Sequence, residues 1–431
     1  MGRCKIDYEK NRCLKIARNK KKRKNKKHNP FAPILKHNPK FQIKDRVVKT
    51  IFNNNFFTKI VKKHGEAIIT IPKIFCIVEN PSISLIILKQ ISKAIFDNNV
   101  NSIYFDYSNC ETLGLDASLV TDIIVLRGKA LRNKMGIKTK LAGNFPKSVR
   151  AKEIFLNSGL IKHLGINKVE SPHVKRLDPF LYEKNPNLMT NKVINYYNSC
   201  LSTSGFVLND KGINYFNNLV GEIIDNAEQH SGKYGEWFVS GHFSHDNNIE
   251  KIPKGRLTFI SFGNTIYESL KNDTVDDFIK NKLEKQTKYH KKLFDFSWNE
   301  ESSWTVFALQ WMISRKKTQF NDRGTGTIKF IDSFTELGKT INNEIPKMAI
   351  LSGHTHILFD GTYTLKEQTT HRNTKVKVIA FNKSNNLRQK PDSKYVKLLN
   401  SKFPGVIISC DFYVDKAYLT KIKEEKNEKG N

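Results

Sequence analysis

Gly221-Glu222-Ile223-Ile224-Asp225-Asn226-Ala227-Glu228-Gln229-His230-Ser231 is the stretch on which the fold turns. From Ile213 the apolar residues Ile213, Phe216, Val220, Ile223 and Ala227 recur at intervals of three and four, which makes one buried helical stripe. Glu222, Asn226 and His230 are spaced by four on the opposite side, on a common polar face. Asparagine is a weak helix former, so its mid-helix position calls for a reason. A solvated surface helix is one. Coordination is the other: an amide oxygen completes the shell of a hard Mg2+ otherwise held by phosphate and water, and a carboxylate one turn earlier orients or deprotonates a water.

The flanking sequence favours the second reason. Glu236–Ser244 reads as a strand, and Arg256-Leu257-Thr258-Phe259-Ile260-Ser261-Phe262-Gly263 as another running into a glycine turn. Further on, Arg323-Gly324-Thr325-Gly326-Thr327 leads into a helical pattern from Ile328 to Leu337, closed by Gly338. The glycines therefore fall where a helix start offers free backbone N–H groups to phosphate. Lys347–Gly353, His356–Phe359, Lys375–Phe381 and Val406–Tyr413 supply further strands, with a tight turn at Asp360-Gly361 leading into Thr362–Leu365.

The order of these motifs resembles the ATP-binding domain of the GHKL family, which includes histidine kinases, gyrase, mismatch-repair clamp ATPases and anti-sigma kinases. The resemblance covers residues 205–415 and implies an α/β chain with a C-terminal two-layer α/β sandwich that binds ATP and Mg2+. It makes Glu222 the catalytic, water-activating carboxylate and Asn226 the Mg2+-binding amide. Gly324 and Gly326 become the phosphate-wrapping glycine box, with Arg323, Thr325 and Thr327 as further donors. Gly263 becomes the first glycine of the adenine-side box. The family aspartate and second glycine of that box are here Ser261 and Thr265. Exchanging a charged for a neutral hydrogen bond should weaken ATP binding about tenfold. Residues 267–322, lysine-rich from Lys280 to Lys292 and apolar from Trp304 to Ile313, occupy the place of the family's mobile lid; a docked helix beside a solvated basic loop is the alternative. His354 and His356 alternate on a strand without a third ligand spaced to join them.

The first half carries another unit. Ala67–Ile71, Ser102–Ser108 and Lys138–Leu141 read as strands, alternating with helical patterns at Leu85–Phe96, Leu119–Met135 and Ala151–Asn157. Asp106-Tyr107-Ser108-Asn109-Cys110, Leu115-Asp116-Ala117-Ser118-Leu119 and Asn157-Ser158-Gly159-Leu160 resemble a STAS domain, the βαβαβα fold of anti-anti-sigma factors, over residues 66–168. The family's phosphorylatable serine position holds Ala117, and Ser118 is turned from it by about 100° on a helix. The expected organisation is a basic tail at 1–45, the STAS-like unit at 66–168, a linker at 169–204, the nucleotide unit at 205–415 and a charged tail at 416–431.

Lys and Arg outnumber Asp and Glu by 73 to 41, a net charge of +32, and the first fifty residues hold 18 basic against 3 acidic. A block centred on Arg18–Lys27 is expected to be disordered and to offer nonspecific contact to nucleic-acid phosphates, or merely to keep the chain soluble. No apolar run suits a membrane span or a signal core, and six cysteines without Cys-x-x-Cys spacing read as reduced thiols, so a cytoplasmic location without membrane contact is expected. Three functions fit these features. The first is a bacterial regulator whose nucleotide unit is coupled to a protein partner through the STAS-like unit. The others are an ATP-driven clamp acting on nucleic acid in maintenance or defence, and a degenerate scaffold without nucleotide. Hydrolysis or kinase activity stays open.

Overall fold

The computed structural model describes residues 44–164, 173–177, 185–203, 205–230, 232, 235–244, 253–271, 277–293, 299–310, 326–337, 345–369, 373 and 375–414. The first unit runs α1 (Arg46–Asn53), β1 (Lys62–Lys63), β2 (Glu66–Thr70), β3 (Ile74–Phe75), α2 (Pro81–Phe96), β4 (Ser102–Asp106), β5 (Thr112–Leu113), α3 (Leu115–Lys134), β6 (Lys140–Asn144), α4 (Val149–Leu156) and α5 (Gly159–His163). Strands β2, β4 and β6 are parallel and adjacent, with β1 antiparallel on β2. Alternation along β2 sends Ala67 and Ile69 into the core and leaves Glu66, Ile68 and Thr70 outside, so the crossover helices cover one face only.

The second unit runs β7 (Val174–Leu177), α6 (Pro186–Ser202), α7 (Asp210–His230), β8 (Glu236–Ser244), β9 (Lys254–Phe262), α8 (Ile266–Leu270), α9 (Asp277–Leu293), α10 (Glu300–Ala308), α11 (Gly326–Leu337), β10 (Lys347–Phe359), β11 (Lys366–Thr369), β12 (Lys375–Val378) and β13 (Val396–Tyr413). Its main sheet, in the order β10-β13-β9-β8-β7, is antiparallel throughout. Leu257 and Phe259 of β9 join a core with Phe216, Ile223 and Phe330 of α7 and α11, whereas Ile260 and Phe262 join the core of the first unit. Helices α2 and α3 therefore lie between the two sheets, α2 packed on β2 from one side and on β13 from the other, and α3 packed on α2 and on β8, β9 and β13. At Gly128 a Cβ would stand 2.3 Å from the Ile95 side chain, so the bare backbone of α3 lets α2 come close.

Mixed α/β architecture agrees with expectation, but the second unit is not a free-standing two-layer sandwich, because the first unit covers the back of its sheet. For the same reason α3, expected to be amphipathic from Leu119 to Met135, is buried all round from Leu115 to Val125. Two boundaries also change. The span 169–204, expected as a linker, contributes edge strand β7 and helix α6, whose Val193, Tyr197 and Cys200 are core residues. Asp45, assigned to the tail, accepts the Val48 N–H at the start of α1 and pairs with Arg127 of α3 at 3.0 Å. Lys347–Gly353 and His356–Phe359 form one strand kinked by bulges near Gly353, and after Gly361 the segment 362–365 forms no strand, since β10 pairs with β13 instead.

Candidate functional site

Helix α7 is fixed by burial of Phe216, Leu219, Val220, Ile223 and Ile224, and α11 by Ile328, Phe330, Ile331 and Phe334. The two lie against each other on one face of the main sheet. Glu222 and Asn226 are half-buried on α7. Burial raises the Glu222 pKa and the Asp225 charge adds to the rise, while the Lys329 ammonium of α11 opposes it. Lys329, which sequence reading passes over, is thus a cation of α11 whose charge acts on the expected catalytic carboxylate. Its signal was its place one turn into the helix that begins at Gly326.

Helix α11 starts at Gly326, so the backbone N–H groups of its first turn have no intrahelical acceptor. Thr327 is half-buried in that turn. Arg323, Gly324 and Thr325 lie outside the described residues. Ser261 is buried in β9, opposite Trp237 and Val406, and shares the parity of Leu257 and Phe259, so it belongs to the same face as α7 and α11. Gly263 follows at φ +153°, and its N–H donates to the Pro404 carbonyl at 3.1 Å. Beside it Gly405 has φ +149°, and a Cβ there would fall 1.8 Å from the Ser261 carbonyl oxygen, so no side chain fits behind this turn.

Thr265, at the family's second glycine position, has the ordinary φ of −74° and caps α8. Its hydroxyl accepts the Glu268 N–H at 3.0 Å while Glu268 accepts the Thr265 N–H at 2.9 Å, a reciprocal capping box. Glu268 also pairs with Lys402 of β13.

The described parts of the lid segment are docked. Glu301 of α10 accepts the His354 N–H at 2.6 Å in the bulge of β10, where Gly353 takes φ +59°. Ser302 and Thr355 share a hydrogen bond of 3.1 Å, and the Trp304 indole donates to Thr287 of α9 at 2.7 Å. Residues 272–276, 294–298 and 311–325 lie outside the described residues.

Other candidates lie apart from these two helices. His354 Nδ1 lies 2.9 Å from the Leu399 carbonyl oxygen. His356 is fully buried, which pushes its pKa down to about 3. No cluster of three His, Cys, Asp or Glu side chains suited to a metal occurs among the described residues. In the first unit Ala117 and Ser118 are both buried, and Asp116 accepts the N–H groups of Ile77 and Val78 at 3.1 Å. Burial, with help from the Asp411 charge, pushes Asp116 up to about 6.

The residues present fit a nucleotide unevenly. On the phosphate side the half-buried amide and carboxylate of α7 and the start of α11 belong to two helices packed together, and such groups suit a hard cation with its phosphates. On the base side a neutral hydroxyl and a capped helix replace a carboxylate and an open glycine. Compared with known family models, characterised proteins and solved structures, the chain matches none. No described helix is long and apolar enough to cross a membrane.

Proposed function

We propose that the chain is a cytoplasmic regulatory protein that binds ATP and Mg2+ through a GHKL-type second unit coupled to a STAS-like first unit. The observation that supports this reading is the pairing of α7, which carries Glu222 and Asn226, with α11, which starts at Gly326, on the sheet face that also holds Ser261. Asn226 would hold Mg2+, and the start of α11 at Gly326 and Thr327 would hold phosphate. Bound Mg2+ would supply positive charge at the phosphate oxygens. Glu222, with its affinity for protons raised by burial, would hold or accept a proton from a neighbouring water. The shared core supplies the coupling, since any shift of β9 or β13 is felt directly by α2 and α3.

Calorimetry with ATP, ADP and a nonhydrolysable analogue, with and without Mg2+, tests the reading. Asn226→Ala should weaken Mg-ATP binding by about tenfold to a hundredfold, the worth of a bond to a charged group, and leave Mg-free binding and the fold intact. Unchanged Mg-ATP affinity removes Asn226 from the site. A scaffold without nucleotide is the second reading, favoured by the capping box that fixes Thr265. Absence of saturable binding by any nucleotide at millimolar concentration would favour it.

A further inference from the structure

Between β12 and β13 the chain reads Phe381-Asn382-Lys383-Ser384-Asn385-Asn386-Leu387-Arg388-Gln389-Lys390-Pro391-Asp392 and forms neither helix nor strand. Its ends meet, because the Asp392 N–H donates to the Phe381 carbonyl at 2.7 Å. Buried asparagine side chains hold the backbone between them. The Asn382 amide donates to the carbonyls of Asn386 at 2.9 Å and Gln389 at 3.2 Å, and its oxygen accepts the Asn386 N–H at 3.0 Å. Asn385 accepts the Ala380 N–H at 2.8 Å and donates to the Val378 carbonyl at 2.9 Å. Two neighbours add bonds from outside: Gln286 of α9 donates to the Leu387 carbonyl, and Gln368 of β11 donates to the Asn385 carbonyl at 2.9 Å. A closed loop tied in this way is a fixed surface feature and not a slack connection.

Two of its residues are held in an unfavourable backbone region, Phe381 at φ +56° and Asn385 at φ +47°. Asparagine tolerates left-handed backbone, but a bulky phenylalanine does not. Phe381 stays there because its ring is buried against Phe359 and Tyr363. Strain so over-determined points to a shape that has a use. What the shape presents is positive charge. Lys383, Arg388 and Lys390 are exposed, and no Asp or Glu occurs from 381 to 391. The Asp392 carboxylate is turned to the Tyr363 hydroxyl at 3.3 Å and the Lys394 N–H at 2.8 Å. Through Gln286 the loop abuts α9, where Lys outnumbers Asp and Glu by six to two, and exposed Lys282 lies one turn before Gln286 on the same side. Beyond the first fifty residues the chain still carries 32 − 15 = +17, so the positive excess is not confined to the tail. Like charges gathered on a stiff face repel one another, and a partner of opposite sign offsets that repulsion.

We infer that the 381–392 loop and the adjoining side of α9 form a docking face for the phosphate backbone of nucleic acid. Lys383, Arg388, Lys390 and Lys282 neutralise phosphates and release their counterions. The asparagine amides are committed to the loop's own backbone, so contact is to phosphate whatever the base sequence. An acidic protein fits less well, since the loop exposes no large apolar side chain to anchor a protein interface. This face is separate from the basic tail, whose contacts add to it.

Binding of a short fluorescein-labelled DNA duplex of mixed sequence to the full-length chain is followed by fluorescence anisotropy over a salt series, without nucleotide. Lys383→Gln, Arg388→Gln and Lys390→Gln combined should lower the log–log salt slope by about 2.7, at about 0.9 per phosphate contact, and weaken binding by about tenfold or more. Lys63→Gln, Lys138→Gln and Lys140→Gln combined, at exposed positions of the first unit, change the net charge equally and should leave slope and affinity near those of the wild type. Equal losses in the two variants, no loss in the first, or no duplex binding by the wild type overturns the proposal. Unlabelled duplex should displace the probe far better than poly-glutamate of equal charge; equal displacement overturns nucleic acid as the partner. Ultraviolet cross-linking of the wild type, mapped by mass spectrometry, needs no variant to fold. Adducts on 381–394 or α9 support the face, and adducts confined to other segments refute it. Because no nucleotide is present, failure of ATP binding would leave these results unaffected.

Discussion

Removing the Asp122 carboxylate should destabilise both units at once. Asp122 projects from α3 with no exposure to solvent and accepts three charge-assisted or backbone bonds: Gly159 N–H and Leu160 N–H at 2.8 Å and the Arg176 guanidinium at 2.7 Å. Arg176 also donates to the Asn157 carbonyl. In Asp122→Ala the guanidinium, only 9 % exposed, would face the unpaired N–H groups at the start of α5 with no anion between them. Breaking a buried ion pair from one side costs about 3–5 kcal/mol. Arg176→Met should cost less, about 1–3 kcal/mol, because the carboxylate keeps its two N–H donors. The double variant should be more stable than the sum of the single effects by about 0.5–3 kcal/mol, since neither charge is then stranded. Urea unfolding of the full chain, followed by far-UV circular dichroism and by tryptophan fluorescence, measures these differences. The shared core requires the two probes to shift together. A loss below about 1 kcal/mol for Asp122→Ala, or strict additivity in the double variant, would refute the reasoning.

Other outcomes follow from the same geometry. If the chain hydrolyses ATP, Glu222→Gln should retain Mg-ATP binding and lower single-turnover hydrolysis by roughly 10²–10⁴-fold; turnover that survives the exchange takes Glu222 out of the mechanism. Asp116, raised to about 6 when folded, holds its proton more tightly than in the unfolded chain. Its destabilising contribution is therefore full above pH 6 and is relieved as pH falls from 6 towards 4. Asp116→Asn should flatten that part of the stability profile, and an unchanged slope in urea titrations would contradict the assignment. If the basic tail contacts nucleic acid, deleting residues 1–43, and so sparing Asp45 and its pair with Arg127, should remove most salt-sensitive nucleic-acid binding and leave any nucleotide affinity unchanged. Equal DNA affinity and salt slope in the truncated chain would exclude the tail as the contact.

Where one period dominates the sequence, the elements were legible. The stripe from Ile213 to Ala227 gave α7, and Gly326 before an apolar helical run gave α11. The alternation of Ala67 and Ile69 with exposed neighbours gave β2. Less legible was what lies on the two faces of the main sheet. In β8, Trp237 and Val239 serve one core and Phe238 the other, and β9 repeats this with Phe259 and Ile260. Apolar residues at both parities signal a strand covered on both sides, which was the available clue that the first unit packs behind the sheet. The alignment of Arg176, His242 and Arg256 side by side across β7, β8 and β9 had no such clue, because register joins residues from three separate strands. Of the residues proposed to hold nucleotide, Glu222, Asn226 and Ser261 came from sequence order, but the influence of Lys329 on Glu222 depends on how two distant helices pack. Thr265 illustrates a local rule overriding a motif: with glutamate three residues on, it is a helix cap.

The interleaving of the units also sets a timetable for synthesis. Helices α2 and α3 leave the ribosome early, but their second face is completed by Phe238, Ile260, Leu351 and finally Phe403 and Ile407 near the end of the described chain. At about 5–20 residues per second, the apolar flank of the nascent first unit waits on the order of tens of seconds for its cover. During that interval the flank is open to other apolar surfaces, and a ribosome stalled before β13 would hold a chain whose first half is folded on one side and adhesive on the other.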